Sequence, residues 1–282
     1  MNYFILLQKT LPKRLLTRFM GMLAQQKVPK LTHKVIEKFA EHYQVNFSEA
    51  ENSDPKSYAT FNQFFTRALK SGARPIDSAS NSLVSPADGC VSELGKITEG
   101  KLLQAKGMYY SAEELIGDKQ LAQEFTDGAF MTVYLSPKDY HRVHIPFDGT
   151  LIKTIYIPGK LFSVNQTTAE NLPGLFSGNE RLVMIFQTTF GPMAVVMVGA
   201  LIVGYIETVW SGEQRPEKKT SPTQIDFSQR QPPLQFRKGD EIGRFKLGST
   251  AIVLLPKNAG QWLPTIQAGS ALKMGEKVGE VQ

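Results

Sequence analysis

The apolar runs after about residue 80 restrict the fold of this sequence more than any other feature. From there to the C-terminus, short apolar runs alternate with Gly, Pro and Asp, which is typical of strands joined by turns. The predicted strands cover residues 130–135, 151–157, 181–188, 193–206 and 251–255. One short helix interrupts them, because Ser111 and Glu114 have the spacing of a capping box. We therefore predict a β-rich, mainly antiparallel body of the α+β class.

A long polar segment lies within this body. Residues 211–235 contain four prolines, and proline-rich polar segments favour exposed loops over sheet interiors. We expect an exposed loop there.

The N-terminal residues have the period of a helix instead. Apolar side chains recur every four positions at Leu7, Leu11, Leu15, Phe19 and Leu23, which predicts an amphipathic helix. Pro12 is expected to interrupt or start a helix in this stretch.

Two further helices are predicted before the β-rich body. One covers residues 32–43, with Thr32 as its N-cap. The other begins at Asp54-Pro55, a favourable N-cap and first-turn pair, and ends at Gly72. The chain thus divides into a helical region, residues 1–75, and a β-rich catalytic domain, residues 76–282.

Positive charge is concentrated in the helical region. Residues 1–36 contain seven Lys or Arg and no Asp or Glu, although the whole chain of 282 residues carries a net charge of only +6. A nearly neutral body argues against a nucleic-acid surface. A basic amphipathic helix can lie on an anionic membrane, and the alternative is a helix packed on the protein's own core.

Neither a signal peptide nor a transmembrane span is predicted. The longest apolar run, residues 194–206, has thirteen residues, whereas a helix needs about 20 to cross a bilayer. The N-terminus lacks a basic segment followed by an apolar core and a small-residue cleavage site. Membrane contact would therefore be peripheral.

Cysteine and histidine are scarce in this chain. The single cysteine, Cys90, excludes an intramolecular disulfide and a cysteine-rich zinc site. Two of the four histidines, His141 and His144, form an H-x-x-H segment between prolines. No H-E-x-x-H segment or cysteine pair supplies further ligands, so we predict no metal site.

Three residues could form a nucleophilic set. Ser249 precedes an apolar strand, His144 could act as its base, and Asp88 could orient the imidazole. Each also has an ordinary interpretation, because Asp88 in a turn can bond the backbone and Gly-Ser before a strand is common. Chain order alone does not bring the three side chains together.

The residues around these three carry a family resemblance. The matching segments are residues 64–70 with Arg74-Pro75, 85–89, 139–146, 159–165, 179–181, 198–200 and 247–250. In this order they closely resemble bacterial phosphatidylserine decarboxylases, from about Phe61 to the C-terminus. The first 50 residues are similar mainly in character.

The resemblance implies a self-cleaving proenzyme. Asp88, His144 and Ser249 would cut the Gly248-Ser249 bond, leaving a β chain of residues 1–248 associated with an α chain of residues 249–282. Ser249 would become a pyruvoyl group that forms a Schiff base with phosphatidylserine and yields phosphatidylethanolamine.

The resemblance also implies roles around the pyruvoyl group. His144 would donate a proton to the decarboxylated product. His141, Ser163 and Asn165 would bind the substrate. A homodimer on the cytoplasmic face of the bacterial cell membrane is expected.

Two other functions fit the same residues. A serine hydrolase of lipid esters would use the Ser-His-Asp set without cutting the chain. A non-enzymatic peripheral membrane protein would use only the N-terminal region.

Overall fold

The computed structural model describes residues 3–201, 205–214, 221–246 and 249–282. Its helices are α1 (Tyr3–Thr10), α2 (Lys13–Ala24), α3 (Pro29–Tyr43), α4 (Phe61–Phe65), α5 (Ala112–Ile116), α6 (Lys119–Gln123), α7 (Gln166–Ala169) and α8 (Leu175–Gly178), with a 3₁₀ turn at Pro55–Ser57.

The first nine strands are β1 (Ser82–Val84), β2 (Gly89–Lys96), β3 (Lys101–Ala105), β4 (Met108–Ser111), β5 (Ala129–Leu135), β6 (Arg142–His144), β7 (Gly149–Ile157), β8 (Arg181–Thr188) and β9 (Gly191–Val198). The others are β10 (Ile206–Thr208), β11 (Gly212–Gln214), β12 (Thr223–Asp226), β13 (Gln235–Phe236), β14 (Glu241–Phe245), β15 (Ser249–Leu255), β16 (Gly260–Trp262), β17 (Ala271–Leu272) and β18 (Lys277–Val281).

One large antiparallel sheet organises the body. Its strand order is β12-β7-β8-β9-β15-β5-β2-β17, and β13 pairs with β7. Smaller antiparallel sheets have the orders β11-β10-β14-β6 and β1-β18-β16, and β3 pairs with β4. The predicted α+β class with a β-rich, mainly antiparallel body is confirmed.

Strand β15 lies inside the large sheet. All seven of its residues are buried, and it pairs with β9 on one side and β5 on the other. Its sequence is a continuous apolar run after Thr250, as expected for a strand covered on both faces. Ser249 is thus the first residue of a strand held along both edges.

The N-terminal helices agree with the sequence pattern except at one start. Pro12 separates α1 from α2, as predicted. Helix α3, however, begins three residues before the expected cap, because Pro29 occupies its first turn, where the missing N–H costs nothing. Thr32 therefore lies within the helix and is not its cap. No helix within the described ranges is long and apolar enough to span a membrane.

The predicted helix from Asp54 to Gly72 is wrong in extent. Asp54 caps only a 3₁₀ turn, accepting a hydrogen bond from Lys56 N at 2.8 Å. Thr60 then caps the short helix α4 by accepting from Gln63 N at 3.1 Å. After Phe65 the chain turns to bridge Leu69 with Ala50, which ends the helix early.

Aromatic rings join α3 to α4. Phe39 lies 5.1 Å from Phe61, 5.9 Å from Phe64 and 6.1 Å from Phe65, measured between ring centroids. Phe64 and Phe65 are almost completely buried. These contacts form a small core of their own beside the β-rich body.

Two other predictions in the β-rich body need correction. The predicted strand 193–206 is divided between β9, which ends at Val198, and β10, which begins at Ile206. Gly199 N still donates to Glu180 O at 2.8 Å in the β8–β9 register, and residues 202–204 lie outside the described residues. The predicted loop 211–235 contains β11, β12 and β13, which pair at the margins of the sheets where polar side chains stay exposed. Residues 215–220 of that segment lie outside the described residues.

Candidate active site

The registers of the large sheet align its strand ends near Ser249. Arg181 pairs with Val198, which pairs with Thr250. Thr250 also pairs with Tyr134, and Tyr134 pairs with Cys90. These five residues therefore form one row across β8, β9, β15, β5 and β2.

Residues of the matched motifs flank this row. Glu180 immediately precedes β8, and Ser249 begins β15. Asp88 immediately precedes β2, and the segment with His141 and His144 follows β5. The fold thus brings segments that are distant in sequence to the same end of the strands, and we call this row of strand ends the edge of the sheet.

Ser249 presents a buried hydroxyl at this edge. The residue is completely buried, and its Oγ atom has no hydrogen-bond partner among the described residues. A buried hydroxyl without a partner is costly, and a catalytic role is one explanation for it. The hydroxyls of Thr132 and Thr250 share this property, so the position of Ser249 in the matched motif is what distinguishes it. The other half of the predicted cleavage site, Gly248, lies outside the described residues.

Asp88 is held by the guanidinium group of Arg74. Arg74 Nε donates to Oδ1 at 2.8 Å, and Nη2 donates to Oδ2 at 2.5 Å. Met274 N also donates to Oδ1 at 2.9 Å, and Lys273 Nζ lies 3.7 Å from Oδ2. Asp88 is only 2% exposed, so these donors fix its carboxylate where water has little access.

Arg74 also bonds Glu49. Its Nη2 atom lies 2.8 Å from Glu49 Oε2. Burial alone would lower the pKa of Arg74, but the hydrogen bonds to Asp88 and Glu49 outweigh it and raise the pKa above its ordinary value. The guanidinium is therefore a permanent cation between two carboxylates.

The imidazole of His144 has a partner at each nitrogen. Nδ1 lies 2.7 Å from Gly239 O, and Nε2 lies 3.2 Å from the Tyr140 hydroxyl. Since a carbonyl oxygen only accepts, Nδ1 carries the proton and the Nε2 lone pair accepts from Tyr140. Burial lowers the pKa of His144, which keeps the ring neutral and able to act as a base.

The orientation of His144 differs from the expectation in one respect. The hydrogen bonds of Asp88 in the described part of the chain go to Arg74 and Met274. The carbonyl of Gly239, instead of Asp88, holds the imidazole at Nδ1. Asp88 and His144 remain linked through the backbone, because His144 N donates to Pro86 O at 2.8 Å.

His141 is completely buried and neutral. Its Nδ1 atom donates to Asp139 O at 2.8 Å, and its ring centroid lies 4.0 Å from that of Phe65. Burial lowers the pKa of His141 to about 3. Its Nε2 atom has no hydrogen-bond partner among the described residues, so a buried acceptor is available near the sheet edge that carries Ser249.

Ser163 and Asn165 make contacts with the neighbouring backbone and the N-terminal helix. Ser163 N donates to the side chain of Gln8 in α1 at 2.7 Å. Asn165 Oδ1 caps α7 by accepting from Thr168 N at 3.0 Å. The segment predicted to bind substrate is thus attached to the first helix, and its role in substrate binding remains a prediction.

A small cavity of about 180 Å³ adjoins Asp88, and its lining includes the acids Glu49 and Asp139 as well as several cations. Arg67, Lys138 and Lys273 are among the residues that line it, together with Tyr140. Arg67 is 5% exposed, and its Nε and Nη1 atoms have no hydrogen-bond partner among the described residues. Arg67 therefore offers guanidinium donors in a cavity whose lining carries charges of both signs.

Several of these residues were not predicted as functional from sequence. Arg74, Tyr140 and Glu180 all lie inside segments that carried the resemblance, which is the signal that could have selected them. Gly239 acts through its backbone carbonyl, and sequence gives no sign of that contact. Burial raises the pKa of Glu180 to about 7, so this edge holds another titratable group.

Comparison with known proteins identifies the family. A family model described as Phosphatidylserine decarboxylase matches residues 61–280, and a second model, described as PSD, matches residues 3–44. The chain belongs to the phosphatidylserine decarboxylase family. The family match contains Asp88, His141, His144 and Ser249.

Relatives match over nearly the full length of the chain. Phosphatidylserine decarboxylase proenzymes of Ectopseudomonas mendocina and Acinetobacter baylyi are 51% and 52% identical; the matches cover 99% of this chain and 98% and 95% of those proteins, respectively. A proenzyme of the same name from Saccharophagus degradans is 50% identical, covering 100% of this chain and 98% of that protein. The similarity to the family therefore includes the N-terminal helices.

Proposed function

We propose that this protein is a self-cleaving proenzyme whose mature form decarboxylates phosphatidylserine to phosphatidylethanolamine. The observation that carries the proposal is the buried, unpartnered hydroxyl of Ser249 at the first residue of a central strand. Full-length relatives named as proenzymes of this activity support it.

Cleavage requires a nucleophile and a base. The Ser249 hydroxyl would attack the carbonyl carbon of Gly248 while the neutral His144 accepts its proton. The acyl group moves from nitrogen to oxygen, and elimination then releases the upstream carboxylate and leaves dehydroalanine at residue 249. Water converts the resulting N-terminal enamine to a ketone and ammonia, which completes the pyruvoyl group.

The surroundings of Ser249 fit such a group. Residue 249 begins a completely buried strand and has an unpartnered polar atom of its own. The pyruvoyl carbonyl would supply the electron sink that decarboxylation requires and that ordinary side chains lack.

The two histidines would then perform different tasks. His144, neutral and hydrogen-bonded to Tyr140, would accept at Nε2 the proton that the substrate ammonium group releases, and would then donate it to the carbon that loses the carboxylate. His141 would use its free Nε2 atom to position the substrate, with Ser163 and Asn165 at the headgroup. Because His141 is neutral, it forms no ion pair that would retain the carboxylate.

The headgroup phosphate would bind to cations that line the cavity near Asp88. Arg67, Lys138 and Lys273 line the adjoining cavity, and cations of this kind can bind a phosphodiester. Asp88, held by Arg74, would provide the fixed negative charge of the self-cleaving set.

The N-terminal region would attach the enzyme to the membrane that contains its substrate. Large apolar side chains of α1 to α3 are exposed to solvent, among them Tyr3, Leu7, Leu15, Phe19, Met22 and Leu31. Basic residues accompany them on the same helices, which suits peripheral attachment to anionic lipid. We propose residues 1–75 as the membrane-associating region and residues 76–282 as the catalytic domain.

The proposal extends to the partners and the location of the protein. Chains 1–248 and 249–282 would remain together after cleavage, because β15 is buried between two strands. A homodimer on the cytoplasmic face of the cell membrane rests on the family resemblance.

Intact mass spectrometry tests self-cleavage directly. We expect two chains, the smaller with a blocked N-terminus that borohydride reduces. Ser249→Ala should leave one uncut, inactive chain because the nucleophile is gone. Thr132→Val, which alters a buried hydroxyl on the neighbouring strand β5, is the control and should still be cut.

The other outcomes separate the alternatives. A wild-type chain that stays uncut but hydrolyses lipid esters would identify a serine hydrolase. An uncut chain without activity would identify a non-enzymatic membrane protein. Normal cleavage of Ser249→Ala would reject Ser249 as the nucleophile.

A further inference from the structure

A second cavity lies between the N-terminal helices and the body. It has a volume of about 460 Å³ and includes in its lining Lys9, Lys13 and Lys160 with the apolar side chains of Phe162, Leu172 and Leu175. Lys9 lies near the end of α1 and Lys13 begins α2, whereas Lys160 belongs to the segment after β7. The cavity thus joins a helical wall to the catalytic body.

The positive charge in this cavity is not compensated. None of the described residues that line it carries a carboxylate, and no ion pair in the described ranges joins one of the three lysines to an acid. Burial and the nearby charge of Lys160 lower the pKa of Lys13. Like charges at such a site are destabilising unless an anion lies between them.

Lys13 is also held in a defined position. Its Nζ atom donates to Gln8 O at 2.6 Å and lies 4.2 Å above the ring of Phe162. One N–H of the ammonium is used by the carbonyl, which leaves two for a ligand. The site therefore combines a fixed cation with two more exposed lysines.

The neighbouring surface indicates where an anion would come from. Helices α1 and α2 expose Leu7, which is 57% exposed, and Leu15, which is 67% exposed. Phe162 and Leu175 add an apolar wall within the cavity itself. An amphiphile with an anionic head and an apolar body matches both features, whereas a free inorganic anion matches only the lysines.

We propose that Lys9, Lys13 and Lys160 bind the phosphate group of an anionic membrane phospholipid at a site different from the cavity beside Asp88. The inference rests on the proposed membrane attachment of the N-terminal region. A bound lipid would connect α1 and α2 to the segment containing Ser163, which α1 already contacts through Gln8. Anionic lipid would then stabilise the docked arrangement of the helices without itself being the substrate.

Two triple variants of the mature protein test this site. Lys9→Gln, Lys13→Gln and Lys160→Gln remove the cavity lysines. Lys27→Gln, Lys30→Gln and Lys34→Gln remove the same charge from exposed positions outside the cavity. Calorimetric titration with a soluble short-chain phosphatidylglycerol, which has no serine to decarboxylate, measures the site without a bilayer, and circular dichroism checks folding.

We expect the cavity variant to bind the soluble lipid at least about 10-fold more weakly than wild type, and the control variant within about 2-fold. On anionic vesicles, both variants should lose about 5-fold in affinity per lysine, because each basic residue near such a surface contributes a similar electrostatic attraction.

Three results would overturn the inference. These are equal loss of soluble-lipid binding in both triple variants, no binding by wild type, and binding of inorganic phosphate as tight as that of the lipid. Decarboxylation by the same wild-type preparation is measured in parallel. An active enzyme without the lipid site refutes this inference alone, and an inactive protein with the site refutes the proposed activity alone.

Discussion

Replacing Arg74 with methionine should destabilise the fold mainly through Asp88. Arg74→Met removes two of the three hydrogen bonds to the Asp88 carboxylate and leaves Met274 N as the remaining donor. The side chains of Arg74 and Asp88 are 6% and 3% exposed. Water therefore cannot take the place of the guanidinium without local opening.

The size of the effect follows from this geometry. At the 2.8 Å separation of Nε and Oδ1, two unit charges attract by about 6 kcal/mol at an effective dielectric constant of about 20. Much of this attraction offsets desolvation, and breaking one side of a buried pair costs about 3 to 5 kcal/mol. Lys273 Nζ, 3.7 Å from Oδ2, compensates in part. We therefore expect a loss of about 3 kcal/mol, or about 6 °C in Tm.

The measurement is best made in uncut chains. In a Ser249→Ala background, chemical and thermal unfolding compare Arg74→Met and Arg74→Lys with an exposed control, Arg230→Met. Arg74→Lys keeps the charge but loses the paired geometry, so its loss should be intermediate. The control should change the unfolding free energy by less than about 0.5 kcal/mol.

A double-mutant comparison isolates the contribution of Asp88. With Asp88→Asn already present, Arg74→Met should cost much less, because no buried carboxylate remains without a partner. The reasoning is refuted if Arg74→Met costs less than about 1 kcal/mol, or if its cost is the same with and without Asp88→Asn.

Three further predictions concern pH, packing and membrane attachment. Burial raises the pKa of Glu180 to about 7, compared with an ordinary 4.5, so the folded state binds the carboxyl proton more tightly than the unfolded state does. The stabilisation that this proton provides is complete below about pH 4.5 and is lost as the pH rises through about 7. Glu180→Gln should accordingly raise the unfolding free energy by about 1 to 3 kcal/mol near pH 8 and change it little near pH 4; an equal effect at both pH values would contradict this. Gly159→Ala would put a Cβ atom 2.5 Å from Asn179 C and Glu180 N. We expect this clash to destabilise the fold by about 1 to 3 kcal/mol, measured by thermal unfolding. Gly178→Ala is the control and should be near neutral, because no atom lies within 4 Å of the added Cβ. Co-sedimentation with anionic vesicles should weaken as salt rises, and equal binding to neutral and anionic vesicles would reject electrostatic attachment.

Five strands of the large sheet could be predicted because short apolar runs in the sequence indicate their burial: β5, β7, β8, β9 and β15. Residues 182–186 and 251–255 are continuous apolar runs, and both are completely buried within their strands. Short polar strands such as β11 and β12 carry no such pattern, and long-range pairing at sheet margins determines them. The prediction of one helix up to Gly72 was wrong because a cap at Thr60 starts a new, short helix and the bridge at Leu69 draws the chain into an extended conformation.

The sequence could suggest candidate site residues but not their contacts. Motifs selected Asp88, His144 and Ser249, and the sheet brings their segments to one edge. Chain order gives no indication that Arg74 would donate hydrogen bonds to both carboxylate oxygens of Asp88. Nor could it show that a backbone carbonyl, Gly239 O, would hold the imidazole, since any residue can supply a carbonyl.

The central position of β15 affects how the cleaved protein would unfold and refold. Cleavage before Ser249 would leave the 249–282 chain with its first strand inside the large sheet, while β17 pairs with β2 and β18 pairs with β1 and β16. The uncut chain folds with these segments tethered, at a high effective concentration. Once cut and unfolded, the two chains would have to find each other by diffusion, so the mature protein would persist through slow unfolding and not through ready refolding.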